Sequence, residues 1–340
     1  MSFSSREKKK GRLTSGYSFR TKARSNNKMR LFSATILIAL AAIATFGQSP
    51  TLRIVTETPN LPSELFYGDI KVKPLRLRPG TNTPITINDS DFFVTTQYTD
   101  FLSRFPDQSG FNFWNSEITS CGTDANCIEV KRVNVSAAFF LSIEYQQTGF
   151  YVYKMYKAGF GNLAGKPVPV RRQDFLPDTQ SIGNGLIVGQ QGWEGVLDAN
   201  KNAYALNFVQ RPAFVAAYPA SMTAQQFVDQ ADANAGNVLS SSEKAQLVAI
   251  LGATPADNSK RAQVMRSMGD NSALNQAESN KMFVLTQYFG YLRRNPDEGP
   301  NTNFDGFNFW LGKLNQFNGN FVQAEMVKAF LVSGEYLDRF

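Results

Sequence analysis

Gly110-Phe111-Asn112-Phe113-Trp114 returns unchanged as Gly306-Phe307-Asn308-Phe309-Trp310, and the reading of this pentapeptide decides the fold. The match widens on both sides. Upstream of the first copy stand Phe93, Val94, Gln97, Tyr98, Leu102, Arg104, Pro106 and Asp107. Upstream of the second stand Phe283, Val284, Gln287, Tyr288, Leu292, Arg294, Pro296 and Asp297. Downstream, Ala138-Phe139, Ser142, Glu144 and Tyr145 answer to Ala329-Phe330, Ser333, Glu335 and Tyr336. Residues 93–145 are thus written a second time at 283–336. Most of the kept residues are aromatic or aliphatic at helical spacing, so the repeat reports a fold before it reports a chemistry.

Each copy predicts three short helices. Val94, Tyr98, Phe101 and Leu102 form the stripe of an amphipathic helix, and Val284, Tyr288, Tyr291 and Leu292 repeat it. Pro106 and Pro296 end that helix. A second helix carries Phe111, Trp114 and Ile118, matched by Phe307, Trp310 and Leu314; a third runs from about Ile128 to Tyr145, matched by Phe321 to Tyr336. Tyr98, Trp114, Tyr145, Tyr288, Trp310 and Tyr336 are the expected core, with both tryptophans buried against the first helix of their own unit. Ser109 and Asp305 are the expected caps of the tryptophan helix. Phe113 and Phe309 lie off the apolar stripe and are candidates for a contact surface. Arg104 with Glu144 or Asp107, and Arg294 with Glu335 or Asp297, are expected to pair and hold the first helix against the third.

The remaining chain divides around these copies into a mostly α protein. Residues 1–47 read as a basic tail plus signal peptide, and 48–90 as an extended, proline-interrupted leader with a strand at most. The first unit is 91–160. A Gly/Pro-rich connector of little regular structure covers 161–197. A degenerate helical unit spans 198–275, where Phe227-Val228 resembles the Phe93-Val94 start and the tryptophan helix is lost. The second clear unit is 276–340.

Charge is distributed in a way that excludes a nucleic-acid partner. Residues 1–30 hold ten basic side chains and one acid, so the tail supplies +9 of a net charge of +7 and the other 310 residues supply −2. The body has no basic excess with which to neutralise a phosphate backbone. Leu31–Phe46 is sixteen uncharged residues, short of the roughly 20 that cross a bilayer. It fits the apolar core of a secretory signal, with cleavage near Thr45–Ser49 and Met1 or Met29 as start. The membrane is expected to be met only through this segment or an uncleaved anchor. The two cysteines, Cys121 and Cys127, lie in an insertion particular to the first copy and read as a disulfide in an exported protein.

Several chemistries are set aside. The chain has no histidine, which removes Ser-His-Asp triads and His-based acid–base steps. There is no third cysteine for zinc and no phosphate-binding glycine loop. Asp297–Gly306 holds oxygen ligands but lacks an EF-hand register, so a solvated loop is expected and no metal or cofactor. Glu144 and Glu335 with Asp107 and Asp297 are the only carboxylates both copies share. Paired carboxylates hydrolyse glycosides, but an active site rarely needs to occur twice in one chain, so a structural pairing is preferred.

The motif Phe-Val…Tyr…Leu-x-Arg-x-Pro-Asp…Gly-Phe-x-Phe-Trp…Ala-Phe…Ser-x-Glu-Tyr resembles the bacterial domain of unknown function 4214, and more distantly phycobilisome linker domains. It covers 93–150 and 283–340, and 198–275 weakly. The resemblance implies an exported or surface protein, associated with calcium-binding repeats or polysaccharide-related modules, and carries no catalytic residues across. The expectation is an exported, non-catalytic helical module that binds a protein or polysaccharide or serves a structural role. Its rival is a secreted carbohydrate-active enzyme.

Overall fold

The structure, a computed structural model, describes residues 52–55, 64–67, 70–72, 77–78 and 81–340. The expected signal peptide and basic tail of residues 1–47 lie outside the described residues. The chain divides into a small strand unit and a helical body beginning at Lys73. In the first, β1 (Leu52–Val55), β2 (Glu64–Tyr67) and β3 (Ile70–Val72) make an antiparallel sheet in the order β1-β2-β3. Leu52 pairs with Tyr67, and Leu65 with Val72. The leader therefore holds three short strands where at most one was expected.

The body is mostly helical. Helix α1 (Ser90–Gln97) runs into a wider π turn over Tyr98–Leu102, which ends on Ser103 in the left-handed region at φ 53°. Next come α2 (Gln108–Thr119), α3 (Ala125–Phe140), α4 (Ile143–Gln147) and α5 (Gly149–Phe160). The predicted third helix thus breaks at Leu141–Ser142. The break is chemical: Ser142 caps a new helix by accepting from the Tyr145 amide at 3.1 Å, while its hydroxyl donates to the Phe139 carbonyl. Ser333 does the same with Tyr336 and Phe330. This accounts for the repeated Ser-x-Glu-Tyr as a cap, a first-turn acid and a buried plug.

The expected connector is not irregular. Residues 161–197 contain α6 (Arg172–Gly183) and the start of α7 (Trp193–Gln210). Its glycine and proline content reports the turns around α6 and not an absence of helix. The middle segment continues with α8 (Pro212–Ala217), α9 (Ala224–Ala235), α10 (Ser241–Leu251) and α11 (Asn258–Asp270). Helix α10 buries Leu247 and Leu251 and carries no tryptophan. Reciprocal capping boxes, Thr223 with Gln226 and Ser240 with Glu243, start α9 and α10.

The chain then enters α12 (Ser272–Gly290), α13 (Asp305–Gln316), α14 (Met326–Leu331) and α15 (Gly334–Leu337). Helix α14 is short because residues 321–325 form turns, whereas the Cys121–Cys127 insertion extends α3 to sixteen residues. Helix α5 is the hub, with ten of its twelve residues buried, as expected of a helix surrounded on all sides. It packs on α9, α11 and α12.

The two copies lie directly against each other. Phe101 and Tyr291 hold the same repeat position and their rings touch, 5.1 Å apart and nearly perpendicular. Equivalent residues meet in this way near a two-fold axis. Across the seam the Tyr336 hydroxyl is hydrogen-bonded to Gln97, 3.3 Å away. One departure from symmetry is Asp100. It is buried, and Arg293 and Arg339 both donate to it, at 2.9 and 2.8 Å. Its counterpart in the second copy is Gly290, where an added Cβ would lie 2.4 Å from the Phe101 ring.

Candidate functional site

The residues that both copies keep converge on one composite. Tyr98 is buried, with its hydroxyl standing over Gly110; a Cβ on Gly110 would come within 2.2 Å of that oxygen. Tyr288 stands over Gly306 in the same way, at 2.6 Å. The first glycine of each pentapeptide is therefore required by a tyrosine twelve or eighteen positions upstream. Trp114 lies 5.7 Å from Phe139, and Trp310 lies 5.7 Å from Phe330. Phe139 in turn meets Tyr98 edge-on at 4.6 Å, as Phe330 meets Tyr288 at 5.4 Å.

The charged residues complete it. Arg104 grips Glu144 with two parallel hydrogen bonds, Nε to Oε1 at 2.7 Å and Nη2 to Oε2 at 2.9 Å. Arg294 takes Glu335 in the same fork, with Nη2 to Oε2 at 3.0 Å. Each guanidinium also stands over its tyrosine ring, at 5.0 and 5.3 Å. The fork ties the end of the first helix to the short helix that follows the third, α4 or α15. Burial opposes the charge on Arg104, but its hydrogen bonds to Glu144 together with the nearby negative charge of Glu144 and Asp107 outweigh it and raise its pKa.

Three expectations are corrected here. Tyr98, Tyr145, Tyr288 and Tyr336 are buried, but Trp114 and Trp310 are only half-buried, and each packs on a phenylalanine of the third helix. The reason is that the second helix sits at the edge of its unit, with one side facing outward. Ser109 does not cap α2. Asp107 does, accepting from the Gly110 amide at 2.8 Å, while the Ser109 hydroxyl donates to Asp107. These two donors hold the Asp107 carboxyl below its usual range. Asp305 does not cap α13 either. It is the first helical residue, behind Phe304, and no side chain caps that end.

Arg104 and Asp107 are neighbours at 3.6 Å, whereas Asp297 turns away from Arg294. Asp297 instead receives Lys166 and Arg171, and Arg171 also takes Glu298 at 2.6 Å. Partial burial pushes the Asp297 carboxyl up, but these two cations more than offset it and hold it low. Both oxygens of Asp297 are thereby engaged. Among the described residues no group of three or more Cys, Asp or Glu side chains is placed to hold a metal ion.

In the first copy the composite forms the floor of a cleft of about 480 Å³. Tyr98, Arg104, Asp107, Trp114, Phe139 and Glu144 line it, and Ile187-Val188-Gly189-Gln190 supply the opposite wall. That wall carries no motif in the sequence. It is a turn, with Gly189 at φ 93°, that the fold lays beside the first copy. Phe113, at 55% exposure, packs edge-on against Trp114 at 4.8 Å; Phe309, at 61%, does the same to Trp310 at 5.1 Å.

Cys121 and Cys127 form a disulfide, Cα to Cα 5.6 Å, that joins the end of α2 to the first turn of α3. Among the described residues no helix is long and apolar enough to cross a membrane. Compared with protein-family models, curated proteins and solved structures, the chain finds no match.

Proposed function

We propose that the protein is an exported, non-catalytic helical module of the cell surface or periplasm that binds a polysaccharide or protein partner through the surface its repeats present. One observation carries this reading. Phe113 and Phe309 are 55% and 61% exposed at the same place in two diverged copies. A single exposed phenylalanine needs no explanation. Its retention twice, beside a half-buried tryptophan each time, supports a contact surface. Leu141 and Val332, also equivalent and exposed, extend the pattern.

The compartment rests on chemistry. A disulfide persists in an oxidising environment, and the basic tail with its apolar run supports export. The likeness to the domain of unknown function 4214 agrees with a surface role and rests on the repeated motif alone. The rival enzyme reading has less support. Glu144 does share a cleft with Asp107, but Arg104 stands between them and occupies both Glu144 oxygens. A glycosidase pair needs one carboxyl free to deliver a proton.

Two measurements test the proposal. N-terminal sequencing of native protein should place the first residue between Thr45 and Ser49; a start at Met1 or Met29 removes the export reading. Retention of the mature chain on isolated envelope polysaccharide should drop by about tenfold or more, some 1.4 kcal/mol, in a Phe113→Ser/Phe309→Ser double variant whose thermal unfolding is unchanged. Undiminished retention removes the exposed phenylalanines as its basis. Glycan cleavage that Glu144→Gln abolishes gives the case to the enzyme.

A further inference from the structure

Building on the binding role proposed above, we infer that the cleft of the first copy is a binding site for a neutral oligosaccharide. Its size is right. At about 480 Å³ it falls within the roughly 300–1,000 Å³ of small-molecule sites. Its lining is mixed in the way a sugar requires. Trp114, half-buried, offers an aromatic face on which the C–H face of a pyranose ring stacks, with the buried Tyr98 and Phe139 behind it. Ser109, Ser142 and Gln190 stand around them as hydroxyl and amide partners.

The charges select against an anion. Arg104 is the one cation lining the cleft, and it is engaged: Nε and Nη2 donate to Glu144, and Nη1 donates to the Phe105 carbonyl at 3.2 Å. Its charge is balanced by two carboxylates, Glu144 in the fork and Asp107 at 3.6 Å, so a phosphate or carboxylate would meet no unpaired cation here. With Arg104 against Asp107 and Glu144, the lining carries a net formal charge of −1. Asp107 takes the Gly110 amide and the Ser109 hydroxyl on Oδ1, while Oδ2 faces Arg104 Nη1 at 3.6 Å, beyond a hydrogen bond, and can still accept from a ligand hydroxyl. A ligand that donates from several neutral hydroxyls and presents apolar ring faces satisfies this surface.

Trp114 reports on the site directly. Tryptophan fluorescence of the mature chain would be titrated with neutral trisaccharides of glucose, galactose, mannose and N-acetylglucosamine, with trigalacturonate, and with inorganic phosphate. At least one neutral trisaccharide should give a saturable change, tighter than either anion. Gln190 is exposed, so Gln190→Trp fills the cleft without touching the core, and it should weaken that binding by about tenfold or more, read by calorimetry. Trp114→Phe keeps an aromatic face and should weaken it less than Gln190→Trp. The inference fails if no neutral trisaccharide saturates, if an anion binds more tightly, or if Gln190→Trp binds as well as the parent chain. In any of these cases, retention on envelope polysaccharide that still depends on Phe113 and Phe309 leaves the binding-module proposal standing and removes only the cleft.

Discussion

Asp107 and Asp297 hold the same place in the repeated motif, yet each is bonded to different things. From Asp107 to the pentapeptide glycine is three positions; from Asp297 it is nine. At three positions the carboxylate reaches the Gly110 amide and caps α2. At nine it cannot, so α13 starts without a side-chain cap and Asp297 gathers Lys166 and Arg171 from the segment before α6. Beside this difference, the Arg–Glu fork, the tyrosine over glycine and the tryptophan on phenylalanine recur in both copies. Groups anchored at fixed distances along the helices keep their partners. Groups at loop edges take whatever the loop length brings near. The first copy's composite thereby floors an open cleft, while the loop after Arg294 in the second is held by basic side chains.

The largest effect that sharpens this comparison lies between the copies. Asp100 has no acidic counterpart, and it is buried with Arg293 and Arg339. Asp100→Ala leaves two arginines facing an empty site and should cost about 3–5 kcal/mol in urea unfolding. Burial pushes the Asp100 carboxyl up, but Arg339 and Arg293 overcome it and hold it low. A loss under about 1 kcal/mol would mean that the copies do not depend on this contact. Next come the tryptophans. Trp114→Ala and Trp310→Ala should each cost about 2–3 kcal/mol, below the roughly 3–5 of a fully buried large aromatic, and agree within about 1. Unequal losses would break the equivalence of the two composites.

Much of this was legible because the repeat exposes it. Helical periodicity gave the first and second helices, and the shared Arg and Glu gave the fork before any distance was known. The break at Ser142 is hidden because Phe139 to Tyr145 continues an apolar stripe, and only the serine's cap signals the stop. Helix α6 is hidden because Pro177 and the flanking glycines read as breakers, although Phe175 and Ile182 are buried. Some features left no signal at all. Lys154 is buried in α5, where burial, deepened by Lys201 and eased by Asp270, lowers its amine to about 8. The wall at 187–190 belongs to the cleft only through the path of the chain.

The glutamines give a smaller and more pointed contrast. Gln97 and Gln287 are equivalent and both fully buried. Gln97 accepts from Ser136 at 2.6 Å and lies 3.3 Å from the Tyr336 hydroxyl, whereas the Gln287 amide finds no protein partner. Replacing a bonded buried amide with an apolar side chain orphans its partners and costs about 1–3 kcal/mol. Gln97→Met should therefore destabilise by that amount. Gln287→Met removes an amide that bonds nothing in the protein and should be neutral or stabilising by about 1 kcal/mol. Equal losses at both positions, measured by thermal unfolding, would show that the two environments are alike.

The smallest effect separates the two loops. Asp107→Ala removes the cap of α2 and should cost about 1 kcal/mol. Asp305→Ala, in the first turn of an uncapped helix, should cost only about 0.3–0.5 kcal/mol through the helix dipole. The pH dependence gives the contrast its sign. The Gly110 amide and the Ser109 hydroxyl hold the Asp107 carboxyl below the ordinary value of 3.8, so the native state binds its proton less readily than the unfolded chain. The stability it contributes is complete above about pH 5 and is lost as pH falls through the native value. The gap between the parent chain and Asp107→Ala should accordingly be constant from pH 7 to 5 and close below pH 4. Asp107→Asn, which still caps, should keep most of the stability across that range. An Asn variant as weak as Ala would mean that Asp107 serves α2 through its charge beside Arg104 and not through its cap; a gap still open at pH 2 would mean that the uncharged carboxyl supports α2 as well as the carboxylate does.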